Sequence, residues 1–159
     1  MARFAVFLVA CLLCVGRTAM ADDASALHGV WVLKSFKIQI VGEDQEKDVW
    51  GPNPKGYLIL LPTGRMMTLL TAPDRKPATN DAESAALLKS MNAYTGRYTV
   101  DGNKWTTTVD LSHNEVYIGH PQVRHFKIEG NKLIVKVPEQ PSAIYPGKRV
   151  TASLEWIRE

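Results

Sequence analysis

The chain carries no cysteine past residue 14: Cys11 and Cys14 are its only two, and both lie within the first 21 of 159 residues. If that segment is removed, disulfides and thiolate metal sites are closed to the remainder, and an ordinary apolar core must hold it. An apolar run of the ~20 residues that a membrane-spanning helix needs is also missing, the longest being the shorter stretch from Phe4 to Val15. A charge excess is lacking too. There are 19 Lys+Arg against 16 Asp+Glu, and since Arg3 and Arg17 lie in the first 21 residues with no acid beside them, the rest holds 17 against 16. With no Lys/Arg block interleaved with aromatics, nothing points to a nucleic-acid partner. Gly-x-Ser-x-Gly, a Gly-rich phosphate loop and His-Glu-x-x-His are all missing, so no nucleophile elbow, cofactor or metal is expected from motifs.

What is present begins with an address. Arg3, the apolar stretch Phe4 to Val15 and the small-x-small triplet Ala19-Met20-Ala21 have the order of a secretory signal, with cleavage expected before Asp22. The expectation is an exported, periplasmic or secreted protein whose single domain runs from 22 to 159. Leu8-Val9-Ala10-Cys11 also fits a lipobox, and acylation at Cys11 would hold the same domain at a membrane surface.

The remainder reads as short strands punctuated by turns. Val30–Ile40 leans to β and ends in the charged loop 42–48; Tyr57–Leu61 and Arg65–Thr71 flank Pro62-Thr63-Gly64 as a hairpin. Asn80 with Glu83 resembles a capping box, and Ala85, Leu87, Leu88 and Met91 follow at helical spacing. Strands are then expected at 96–101, 104–111, 116–118, 122–129, 132–137 and 150–158. The sum is an all-β chain of about eight strands in up-and-down order with one helix after the third.

A meander of that length leaves two exposed edges unless it closes, and a closed barrel of about eight strands either fills with side chains or holds one small ligand. Alternation agrees with closure: Trp105, Thr107, Val109 and Leu111 share one face, as do Leu133, Val135 and Val137, while Lys104, Thr106 and Lys136 take the other.

Leu27-x-Gly29-x-Trp31 resembles the Gly-x-Trp signature of lipocalins, with Arg158 placed to lie across the tryptophan. The succession Gly56-Tyr57-Leu58, Thr63-Gly64-Arg65-Met66, Tyr94-x-Gly96-Arg97-Tyr98, Gln122-x-Arg124-x-Phe126 and Gly130-x-x-Leu133 is similar to the bacterial and fungal lipocalin-like domain family. The resemblance implies a small barrel with a central cavity. Two positions depart from the family's pattern: Thr106-Thr107-Thr108 stands where many relatives carry a histidine, and Glu115-x-Tyr117-x-Gly119 where they carry Pro-x-Trp-x-Gly. Chemistry that used that histidine is not expected here.

Gly29, Trp31 and Arg158 are read as structural, a cation over a ring closing one barrel end. Arg124 shares the inward face with Phe126, and a buried arginine needs a partner: a ligand's carboxylate or carbonyl, or the protein's own acceptors. Arg97, Tyr98, Tyr57, Tyr117 and Met66 complete the expected ligand-binding set, because tyrosine and methionine suit an irregular apolar cavity. His113, Glu115, His120 and His125 lie close in sequence but without regular metal-ligand spacing. The function expected is binding of a small hydrophobic molecule. An isomerase or lyase on the same barrel, or a structural envelope protein with a filled barrel, are the alternatives. Binding requires a lumen of roughly 300 Å³ or more with Arg124 pointing into it.

Overall fold

The computed structural model describes residues 24–142 and 144–159. The expected signal, with Cys11 and Cys14, lies outside them. Residues 24–27 form a helical turn (α1). There follow β1 (Gly29–Ile40), β2 (Glu46–Asp48), β3 (Lys55–Leu60), β4 (Arg65–Thr71), α2 (Asp81–Lys89), β5 (Met91–Asp101), β6 (Lys104–Ser112), a 3-10 turn (Glu115–Tyr117), β7 (Gln122–Glu129), β8 (Lys132–Pro141) and β9 (Arg149–Arg158).

All neighbours are antiparallel, in the order β2-β1-β3-β4-β5-β6-β7-β8-β9, and β1 pairs again with β9, so eight strands close into a barrel. β2 is an addition that pairs with Lys37–Gln39 of β1 inside what reads in sequence as a charged loop. Its presence puts the helix after the fourth strand, and α1 adds a helical turn ahead of β1. The strand expected at 116–118 is instead the 3-10 turn: Asn114 Oδ1 accepts from Val116 N at 3.2 Å, a side-chain cap that curls the chain.

Helix α2 starts as its capping signal implies. Asn80 Oδ1 accepts from Glu83 N at 2.9 Å, and Glu83 Oε2 turns back to Thr79 N at 2.7 Å. The helix buries no residue. Met91, which continues its helical spacing in sequence, opens β5 instead, because Ser90 caps the helix through Ala86 O and Leu87 O.

Bulges decide which side chains face inward. The irregularity between Leu33 and Ser35 resets the alternation of β1, so Leu33 and Phe36 are both buried. A second, between Thr95 and Gly96 opposite Val109 and Leu111, turns Leu111 outward to 69% exposure, against the alternation expected of Trp105 to Leu111. Gly96 is obligatory at that bulge, since a Cβ there would lie 2.1 Å from Thr108 O.

One end of the barrel is shut. Trp31, fully buried, donates from Nε1 to Leu27 O at 2.9 Å, which ties α1 beneath the barrel. The Arg158 guanidinium lies 4.1 Å from the centre of the Trp31 ring and donates to His28 O (2.7 Å) and Ala26 O (2.6 Å). Gly29 leaves room for it: a Cβ there would meet Arg158 Nη1 at 2.9 Å, at a φ of +133° that side chains rarely adopt. Arg158→Ala removes the cation–π contact and two charge-assisted hydrogen bonds and is expected to cost about 2 to 3 kcal/mol, read as a fall in the urea midpoint at unchanged slope.

Candidate functional site

The opposite end is open. Inside it lies a lumen of about 80 Å³ whose apolar wall includes Phe36, Leu58, Leu70, Val135 and Leu154. This is smaller than the binding expectation of roughly 300 Å³, because the side chains of Trp105, Phe126 and Trp156 fill the barrel below it. Yet it is not solid, and it leads outward. A wide vestibule of about 740 Å³ lies between the end of α2 (Leu88, Lys89), the 3-10 turn (Glu115, Tyr117) and Pro146. Asn92, Tyr117 and Ile144 line both spaces and form the neck.

Arg124 is the charged group on the lumen wall. It sits on β7 opposite Trp105 of β6 and is 8% exposed. Nη1 donates to Val123 O at 2.7 Å; Nη2 donates to Tyr94 Oη at 3.3 Å and to Gln122 Oε1 at 3.2 Å. These acceptors are neutral, and they occupy three of the five N–H donors of a guanidinium. Among the described residues, the ion pairs all lie at exposed positions and none includes Arg124. A cation withdrawn from water and met only by dipoles is under-compensated, and an anion in the lumen would complete it.

Polar groups continue up the wall. Tyr94 and Tyr117 pack with ring centres 5.8 Å apart, and Asn92 Nδ2 donates to Tyr117 Oη at 3.4 Å. Asn92 Oδ1 and the indole Nε1 atoms of Trp105 and Trp156 are buried and make no hydrogen bond within the protein. Gln140 and Ser142 reach the wall because the irregularity between Val137 and Gln140 extends β8 past the point where Pro138 suggests a stop.

The expected ligand-binding residues therefore divide. Arg124 and Tyr117 line the lumen. Phe126 stacks against Trp105 at 5.7 Å and belongs to the filled part. Met66, 1% exposed, and Tyr98, whose Oη donates to Leu61 O at 3.0 Å, are packed in the core away from the lumen wall. Tyr57 and Arg97 point to the outside, Tyr57 at 49% exposure, by simple alternation with buried Leu58 and Tyr98. Tyr94, a tyrosine that sequence also offers for the cavity, does line the lumen. Asn92 was hidden by the apparent helical spacing through Met91. The histidines do not converge: His113 Nδ1 accepts from Ala93 N at 3.1 Å, while His120 and His125 are exposed.

A closed antiparallel barrel, shut at one end and with a small lumen toward the other, is an architecture compatible with holding a small molecule. The lipocalin-like domain family matches residues 28–159, nearly the whole described chain, and the protein belongs to that family. A comparison with curated proteins finds none that matches it.

Burial raises the phenol pKa of Tyr117 above the ordinary 10.0, with the Tyr94 hydroxyl adding to the effect and Arg124 and Asn92 opposing it; burial does the same to Tyr98. A group raised in the folded state stabilises fully below its unfolded pKa, and that stability is lost as pH climbs through the folded value. Stability measured by urea is therefore expected to decline as pH rises past about 10. Tyr117→Phe should flatten that decline; an unchanged profile in both Tyr117→Phe and Tyr98→Phe would sink the assignment.

Proposed function

We propose that the protein binds a small molecule whose carboxylate or carbonyl head enters the lumen to meet Arg124 while its apolar body lies in the neck and vestibule. The observation that carries this reading is the buried Arg124 guanidinium on the lumen wall with neutral partners alone. The volumes support the division of labour. About 80 Å³ accommodates a head group or a slender chain end, since one water needs about 10 to 15 Å³ by the same measure. A larger body must stay in the vestibule.

A medium-chain fatty acid and the alcohol of equal length separate head-group recognition from apolar burial. By calorimetry the acid should bind the purified protein at least about tenfold more tightly, and Arg124→Gln should erase the difference while leaving alcohol binding in place. Equal binding of acid and alcohol by the unaltered protein would remove Arg124 as anchor. Binding of neither would favour a barrel that serves as a filled structural unit.

Export is part of the same proposal, supported by the order Arg3, Phe4 to Val15, Ala19-Met20-Ala21. The secreted or periplasmic product should have the intact mass of a chain starting at Asp22. A mass retaining Cys11 with added acyl groups would instead mean a tethered protein.

A further inference from the structure

The outward positions of a barrel in water are normally polar on every strand. Here they are divided. On β7 to β9 they carry the charged residues Lys127, Lys136 and Glu155, with Ser153 and with Val123, Ile134 and Ile157 between them. On the other side, cross-strand register builds a row of Val30, Ile59, Met67, Thr95 and Leu111 that is apolar but for Thr95, whose hydroxyl is turned to Met66 O. A second row, Val32, Tyr57, Leu69 and Ala93, runs beside it. Met67 (51%), Leu69 (45%) and Leu111 (69%) are exposed, and a shallow groove of about 310 Å³ runs between them.

At two margins of this face cations outnumber acids. Arg65 and Arg97 are direct register partners on β4 and β5, and one carboxylate serves both: Asp110 pairs with Arg65 at 2.9 Å and feels Arg97 by charge alone. Exposed Lys34 and Lys55 lie toward the other margin. The two rows themselves contain no acid.

We propose that this face docks on an anionic lipid surface, with Arg65 and Arg97 at phosphate head groups and Met67, Leu69 and Leu111 at the head-group–acyl boundary. A second copy of the chain fits the same face poorly. Two such faces brought together about a twofold axis would set basic margin against basic margin. Five strands at ~4.8 Å and two rows of side chains also give a patch of only roughly 300 Å², against the ~800 Å² per partner of a stable interface. Insertion across the bilayer is excluded by the outward charges Lys127, Lys136 and Glu155, since a spanning barrel is apolar on all its outward positions.

The test is co-sedimentation of the exported, purified protein with vesicles of phosphatidylcholine alone or of equimolar phosphatidylcholine and phosphatidylglycerol. Binding is expected on the anionic vesicles, weakened by salt. Arg97→Gln should reduce it about fivefold and the double variant Leu69→Ser/Leu111→Ser at least about tenfold. All three substituted positions are exposed, so circular dichroism and melting temperature should match the parent; should the double variant misfold, Arg97→Gln still decides. No preference for anionic vesicles, or equal binding by both variants, overturns the proposal. So does a dimer in sedimentation equilibrium that the double substitution abolishes, which would make the face an interface between copies.

Discussion

The structure depends on the closure of β1 against β9. Among the described strands β1 alone is hydrogen-bonded along one edge by two others, β3 at Gly29 to Val32 and β2 at Lys37 to Gln39, while its other edge carries β9 from Trp31 to Ile40. Until that seam forms there is no inside, only a long sheet with two edges open to pairing with other chains. The bulge after Leu33 makes the seam productive. Without it, period-two alternation would turn Phe36, Ile38 and Ile40 outward, and the open end would lose its apolar lining.

Closure also fixes where the two ends differ. At the shut end the polar groups satisfy one another: the Trp31 indole, the Arg158 guanidinium and the carbonyls of Ala26, Leu27 and His28 form a finished set. At the open end the corresponding set is unfinished, with Arg124 held by neutral acceptors and Asn92 Oδ1 without a donor. Arg158 is positioned by two backbone carbonyls and an aromatic ring, Arg124 by one backbone carbonyl, a tyrosine hydroxyl and a side-chain amide oxygen. Arg158 lies outside the ring of Trp31 with its charge partly in water, whereas Arg124 is enclosed, and enclosure is what raises the value of an anionic partner.

Much of this was legible in the sequence, for definite reasons. Trp105 with Thr107 and Leu133 with Val135 alternate cleanly, so strand existence and facing followed, and Arg124 could be placed inward from Phe126 alone. The pair Gly29 and Trp31 with Arg158 carried the shut end. Two of the facings that escaped share one cause, bulges. Leu111 was expected inside and is outside, while Gln140 joins the lumen beyond an apparent strand end, and in each case one inserted residue resets a period that sequence alternation carries straight through. Lumen volume escaped for another reason. It is the small difference between barrel radius and the bulk of Trp105, Phe126 and Trp156, and no pattern of residue types encodes how rings nest.

The bulge opposite Gly96 links the two halves of the molecule's surface chemistry. Alternation along β6 already sets Val109 in the core and Asp110 outward against Arg65; the one extra residue admitted there then sends Leu111 out as well, to the groove it shares with Met67. A regular strand would have pointed Leu111 inward toward the level of Tyr94 and the neck, adding apolar bulk where the lumen opens. The same inserted residue therefore spares space inside and lays down apolar surface outside. Gly96 permits it because any side chain at that position would collide with Thr108 O, so the outward placement of Leu111 rests on one backbone contact.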